Sequence, residues 1–156
     1  MVLEVNELEE LLVGVVDAFA TSKTWENWKQ GDTGRMVRTS VVSLAGTSGS
    51  GLQHLSWDII VTGSQADPMD RQRQACAVET EFALYVVHRL RSTTTEQHAD
   101  VRRAWSLSAL LARQLAAARH QGLSGVQYLG VEPLFSASAQ MVTMAVRFRA
   151  HHTIQL

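Results

Sequence analysis

The sequence predicts an α+β fold: a mostly antiparallel sheet packed on one face by two helices, a two-layer sandwich. Two amphipathic helical patterns, one near the start of the chain and one from about Thr95 to Arg119, predict the helices. Long alternating patterns in the second half, about Cys76 to Arg91 and Gln140 to Ile154, predict the sheet. The element order is then α, β-β, β, α, β-β, and with 156 residues the chain reads as one domain, 1–156. A chain of that size buries roughly two thirds of its unfolded surface and needs no staple.

The first helix spans Glu4 to Ala20, with Leu8, Leu11, Leu12, Val15, Val16 and Phe19 at helical spacing. Glu4, Glu7, Glu9 and Glu10 crowd its start, where the helix dipole favours negative charge, and Asn6 is an N-cap if the helix begins later. Thr21 to Arg35 is polar, aromatic and turn-rich. Met36 to Leu44 and His54 to Thr62 read as a strand pair around the Gly/Ser-rich run Ala45 to Gly51, a flexible hairpin loop. In the second strand Leu55, Trp57, Ile59 and Val61 share one face, leaving Ser56, Asp58 and Thr62 on the solvent side. Gly63 to Gln74 reads as a loop turning at Asp67-Pro68, with Asp70, Arg71 and Arg73 solvated. The region around 45–75 is therefore the irregular part of the fold.

Cys76 to Arg91 is the longest strand. Cys76, Val78, Thr80, Phe82, Leu84, Val86, His88 and Leu90 face a core, and Glu79, Glu81, Tyr85, Arg89 and Arg91 face water or another chain. A strand of about 15 residues is about 50 Å long, so a bend, a bulge or a projection beyond the sheet is expected. The long helix opens with Thr94 or Thr95 as cap and Glu96 in its first turn. Its inner stripe is Val101, Ala104, Trp105, Ser108, Leu111, Ala112 and Leu115, and Gly122 stops it. Two strands close the chain, about Gly125 to Phe135 and Gln140 to Ile154. In the last, Val142, Met144, Val146, Phe148, Ala150 and Ile154 face one way and Thr143, Arg147, Arg149 and His151 the other.

A formal net charge of −1 argues against a nucleic-acid binder that relies on overall positive charge. The one cysteine rules out an intrachain disulfide. Acidic residues stand where a signal peptide has basic ones, and the longest apolar run is far short of the roughly 20 residues that span a bilayer. A soluble protein made in a cytoplasm is expected.

The chain carries no P-loop, GxGxxG, HExxH or CxxC. Gly46 to Gly51 lacks the lysine and the strand-turn-helix setting of a phosphate loop. His151 and His152 are adjacent in a strand and point to opposite faces, and His54, His88, His98 and His120 have no ligand spacing, so no metal or other cofactor is expected. Cys76 reads as a buried structural thiol. Asp58 has no paired acid or histidine in sequence reach and reads as a solvent-side residue. Six residues stand out as contact candidates. Trp25 and Trp28 either cap the core or anchor a partner. Glu79 and Glu81 on the longest strand, and Arg147 and Arg149 on the last, are either a solvated face or complementary charges across a subunit contact.

The stretch ETEFALYVVHRLRSTTTEQHADVRRAWSLSALLARQLAAARHQGL, followed by VQYLGVEPLFSASAQMVTMAVRFRAHHTIQL, resembles the tail-terminator and tail-completion (neck) proteins of long-tailed bacteriophages. The resemblance covers the whole chain by element order and Glu79 to Ile154 by texture. Ala45 to Asp70 has no match, and no individual functional residue carries over. What it implies is a structural virion protein and not an enzyme. Copies form a ring, usually a hexamer, at the head-proximal end of the tail tube. The ring ends tube polymerisation and joins tail to head. Its partners are other copies of itself, the tail tube protein and the head–tail connector. DNA passes through the lumen without sequence-specific binding, and no membrane is involved. Such a protein resides in the virion tail or neck and is assembled in the host bacterial cytoplasm.

Close alternatives are a head-closure protein, or the tube cap of a contractile injection system or gene-transfer particle. An alternative of another class is a small α+β enzyme with a helix–sheet pocket, for which Thr80, His88, Ser108 and His152 are the only inward polar groups. A third is an adaptor that pairs through a strand edge. Rings, or binding to tail tubes alone, separate the structural reading from a monomer with a tight small-molecule ligand.

Overall fold

The computed structural model describes residues 1–32, 34–40, 53–66, 74–136 and 140–156. Its elements are α1 (Val5–Phe19), α2 (Lys23–Trp28), β1 (Val37–Arg38), β2 (Ser56–Ala66), β3 (Ala75–Arg89), α3 (Thr94–Ala116), β4 (Leu123–Ser136) and β5 (Met141–Gln155). The strands form one sheet in the order β1-β2-β3-β5-β4. Every pairing is antiparallel except the two-residue match of β1 with β2. The α+β fold with helices layered on one face is as the sequence predicts.

The core lies between the sheet and α1 and α3. Leu8, Leu12, Val16 and Phe19 of α1 and Leu107, Leu111 and Leu115 of α3 meet Trp57 and Ile59 of β2, Phe82, Leu84 and Val86 of β3, and Val146, Phe148 and Ala150 of β5. Phe82 and Phe148 stack at 5.2 Å in its centre. Aromatic pairs of this kind add about 1 kcal/mol beyond their buried area.

The helix ends follow capping chemistry. Glu7 accepts a hydrogen bond from the Glu4 backbone N–H at 2.9 Å, so α1 starts at Val5 and Asn6 lies inside it. The α3 cap is Thr93, one residue before the pair expected. Its Oγ1 accepts from the Glu96 N–H and donates to the Glu96 carboxylate. The inner stripe of α3 is Ala104, Leu107, Ser108, Leu111 and Leu115, while Trp105 is 44% exposed. The stripe expected from sequence was thus turned by one flank: Leu107 replaces Trp105.

Three further expectations are corrected. Val37 and Arg38 run parallel to Ser56 and Trp57, so the described residues of the expected hairpin are not antiparallel partners. Residues 45–51, expected to be its loop, lie outside the described residues, as does the expected turn at 67–68. β2 runs on to Ala66 where a loop was expected from Gly63. A bulge between Val61 and Gly63 lets it follow β3, and Ser64 Oγ bonds Thr80 Oγ1 at 2.9 Å. β3 itself pairs with β5 from Ala75↔Gln155 to Arg89↔Met141 without a register shift. The irregularities expected of β3 sit on its neighbours β2 and β4 instead.

The N-terminal segment straps the helix layer to β5. Leu3 N–H donates to Thr153 O at 2.7 Å, and His152 Nδ1–H donates to Leu3 O. His152 Nε2 therefore accepts from the Thr80 hydroxyl, at 2.6 Å, and Leu3 is 2% exposed. Gly122 lies under this strap: a Cβ there would sit 2.7 Å from Val2 C and 2.8 Å from Leu3 N. Gly122→Ala is expected to push the strap off β5 and cost about 1–3 kcal/mol, read as a drop in thermal midpoint. An unchanged midpoint would show that the strap contributes no stability.

Candidate functional site

The six contact candidates fall on opposite faces of the sheet. Glu79, Glu81, Arg147 and Arg149 share the face away from the helices. There Arg149 Nη2 is 2.8 Å from Glu81 Oε1 and Arg149 Nε 3.8 Å from Glu79 Oε2. The hydrogen bond from Arg149 holds the Glu81 carboxyl below its ordinary range. Complementary charge is thus paired within one chain at Glu81↔Arg149. Trp25 and Trp28 meet on the helix side, stacked at 5.3 Å. Ser22 caps α2 by accepting from the Trp25 N–H, which converts the expected turn into a helical turn. Trp25 then packs edge-on against Phe19 and is 3% exposed, so it caps the core and offers no anchor.

Trp28 is half-buried and forms a wall of a cleft of about 530 Å³, between α2, the start of α3 and the end of β3. Its side chains come from distant parts of the chain. Leu55 adopts φ 68°, a region leucine rarely visits. It is held there by its N–H to Val87 O and by complete burial. That kink places His54 beside the end of β3. Arg89 N–H donates to His54 Nδ1 at 3.0 Å, so the ring proton sits on Nε2 and is donated to Asp32 Oδ2 at 2.9 Å. Asp32 also accepts from the Gly34 N–H and lies 3.6 Å from Arg103 Nη2. Burial alone would raise the Asp32 pKa, but these partners win and hold it low. Arg103 lies over the Trp28 ring, 4.3 Å from its centroid.

His88 closes the inner wall, 2% exposed and edge-on to both Trp28 and His54. Burial, reinforced by His54 and Arg103, pushes its pKa down to about 3, so it is neutral. Its Nε2 and the Trp28 Nε1 are buried and have no hydrogen-bond partner among the described residues.

This arrangement binds better than it reacts. Both His54 nitrogens are occupied, so no lone pair remains to act as a general base. Of the other inward polar groups, Thr80 and His152 bond each other, and Ser108 Oγ donates to Ala104 O. Asp58 is not the solvent-side residue expected. It is 9% exposed and takes the Arg38 guanidinium at 2.9 Å, with Glu9 beyond. Among the described residues no group of three His, Cys, Asp or Glu could hold a metal, and no helix is long and apolar enough to cross a membrane. Cys76 is buried and free.

The other feature is the pair of sheet edges. Among the described residues nothing pairs with the outer side of β4, and β1 covers only the first residues of β2. Bulges at Gly125 and Gly130 shift β4 in phase, so that Val126 and Tyr128, then Val131, Pro133 and Phe135, all face the helix side. Gly130 takes φ 152°, which its missing Cβ permits. Tyr128 and Phe135 remain 48% and 62% exposed. Trp105 lies about 200° around α3 from Arg103. Arg103 faces α2, so Trp105, 44% exposed, lies on the flank of α3 away from it. A single period-two reading of β4 cannot find its apolar face, because the phase changes twice.

No family model matches the sequence, and no curated protein matches it. A chain of the virion of a native gene transfer agent (GTA) particle is similar in structure, with a TM-score of 0.48 and 16% identity over 90% of this chain and 92% of that one.

Proposed function

We propose that this chain is a structural virion protein whose copies join head to tail through their two unlike sheet edges into a ring. The ring ends the tail tube at its head-proximal end and joins tail to head. The observation that carries this reading is the pair of edges. β4 has one charged residue, Glu132, over its length, and β2 from Ile59 to Ala66 has none. Soluble proteins guard free edges with charge, proline and bulges; β4 has Pro133 and two bulges and β2 one bulge, but both are almost without charge over their described length, which leaves them open to a covering strand. β2 and β4 also run in opposite directions. A neighbour in the same orientation would therefore set its β2 antiparallel to β4 and continue the sheet. Such a contact is heterologous, and it closes into a ring when its rotation divides the circle. The sequence resemblance over 79–154 supplies the tail-terminator role, with a hexamer, the tail tube protein and the head–tail connector as partners and DNA in the lumen. Glu79, Glu81, Arg147 and Arg149 lie on the outer face of the central strands β3 and β5, where they would meet a second partner surface and not the neighbour across the edge.

Two experiments test it. The double variant Tyr128→Lys/Phe135→Lys alters side chains that are 48% and 62% exposed, so it should fold but stay monomeric where the parent chain forms rings in mass photometry. A monomeric parent chain that binds no tail tubes sinks the ring. Electron microscopy of particles assembled without the protein then separates the roles. Overlong or ragged tails support termination, and normal-length tails beside leaking heads move the protein to head closure.

A further inference from the structure

The two long helices carry opposite charge. α1 has Glu7, Glu9, Glu10 and Asp17 and no lysine or arginine. α3 has Arg102, Arg103 and Arg113 and, after Asp100, no acid. Some of these groups are satisfied within the chain: Glu7 accepts from the Glu4 N–H, Glu9 pairs with Arg38, and Arg103 with Asp32. Glu10, Asp17, Arg102 and Arg113 are exposed and have no ion pair among the described residues.

The helices also sit at opposite sides of the sheet. α1 packs on β2, and α3 on β5 and β4. At about 100° per residue, Glu10, Val13 and Asp17 share the flank of α1 beside Glu9. Glu9 reaches Arg38 of β1, so that flank is turned to the β2 side. The exposed stripe of α3 is Arg102, Trp105, Ala109 and Arg113. Arg103 faces α2, which packs over His88 of β3, so the stripe leans the other way, to the β4 side. The helices run antiparallel: Gly122, just past α3, lies against Val2 and Leu3, just before α1, and Arg103 donates to Trp28 O in α2, just after α1. A neighbour that sets its β2 against β4 in the same orientation therefore brings its α1 flank to the α3 stripe above the same seam, antiparallel to it. Asp17 then faces the Arg102 end and Glu10 the Arg113 end. Arg102 and Arg113 are about 16 Å apart along their axis and Glu10 and Asp17 about 10 Å, a difference that arginine side chains span.

We propose that this helix seam is the second half of the contact between copies of the chain: Arg102 and Arg113 of one copy meet Asp17 and Glu10 of the next, and Trp105, 44% exposed in the single chain, is covered between them against Val13. The inference rests on the ring reading and deepens it. The strand edges supply backbone pairing with almost no charge, and the helix flanks supply the charge that selects the neighbour and its orientation. The occupant is a second copy because the chain itself carries the matching acidic flank, in the place and direction that continuing the sheet requires. A nucleic-acid backbone would match the arginines alone.

Charge reversal tests it. Arg102→Glu/Arg113→Glu and Glu10→Arg/Asp17→Arg change exposed side chains, and circular dichroism checks that both variants fold. Mass photometry then follows the parent chain, each double variant alone, and the two variants mixed in equal amounts. Each variant alone should assemble about tenfold more weakly than the parent, because like charges then meet at every seam. The mixture should regain assembly, because the acidic α3 stripe of one variant meets the basic α1 flank of the other. Parent-like assembly of either variant alone overturns the inference and leaves the ring reading standing. So does a mixture that assembles no better than its parts. A parent chain that stays monomeric overturns both. Retardation of a DNA duplex that is lost in Arg102→Glu/Arg113→Glu, with assembly unchanged, would assign the stripe to nucleic acid instead.

Discussion

Val146→Asp should abolish folding, while Arg147→Glu, one residue on, should leave the fold intact. Val146 is 0% exposed in the middle of β5, between Leu84 of β3 and Val131 of β4, under the helix layer. Its cross-strand partners Leu84 and Val131 and its same-face neighbours along β5, Met144 and Phe148, are all apolar. An unpaired charge there costs several kcal/mol, and protonating it still leaves a buried polar group in place of a packed valine. Against a total stability of about 5–15 kcal/mol, that is the larger part. Arg147 points the other way, exposed, beside Ala83 and Glu81. A glutamate there adds repulsion at the surface and costs about 1 kcal/mol or less. Circular dichroism and urea titration of both variants are the measurement, and equal behaviour would show that the face assignment of β5 is wrong.

The strength of that contrast reflects how the fold is legible in sequence. β3 and β5 alternate without interruption because they pair without a bulge over their whole length. Their faces, including the inward Thr80 and His88 and the outward Glu79, Glu81, Arg147 and Arg149, could be read residue by residue. β4 could not be read so, because Gly125 and Gly130 each shift its phase, and alternation is a signal only where the register holds. α3 was legible as a helix but not in its rotation. Trp105 outweighs Leu107 by hydrophobic size, yet the helix buries the narrower stripe and leaves the indole on the flank.

Of the cleft, only Trp28, as a contact candidate, and His88, as an inward polar group, were legible. Asp32, His54, His88 and Arg103 are scattered over much of the chain, and none has a neighbour in sequence that announces a site. They meet because Leu55 adopts a left-handed backbone and because β3 ends beside α2. Asp58 shows the same limit. Its place in the alternation was read rightly as the face away from Trp57 and Ile59, and its burial under Arg38 depends on a strand that pairs across eighteen intervening residues. Long-range partners of this kind decide which polar residues are wetted, and periodicity carries no information about them.

Acid should destabilise the chain well above the pH at which its carboxylates titrate. The folded state holds His88 neutral, with a pKa of about 3, where the ordinary value is 6.5. The groups facing it are His54, Arg103, Asp32 and Asp100. Burial, reinforced by His54 and Arg103, disfavours its proton more than the two acids favour it. The pKa of His152, tied between Leu3 O and Thr80, is lowered as well, first by burial. Below pH 6.5 the unfolded chain therefore takes up protons that the folded chain refuses. Stability from these two rings is complete above that pH and falls as pH falls, for His88 until about pH 3. The slope is about 1.4 kcal/mol per pH unit for each ring that stays neutral. Asp32 and Glu81, whose folded pKa values are lowered, add to the loss only below their ordinary values of 3.8 and 4.5. The interval from pH 6.5 down to about 5 thus isolates the histidines, and there His88 alone should account for about 2 kcal/mol. His88→Phe keeps a ring against Trp28, removes the unpaired Nε2 and should flatten the profile by that amount. Urea midpoints measured across the interval decide it: parallel profiles for the parent chain and His88→Phe would mean that His88 takes up its proton in the folded state, and that the wall of the cleft opens to water.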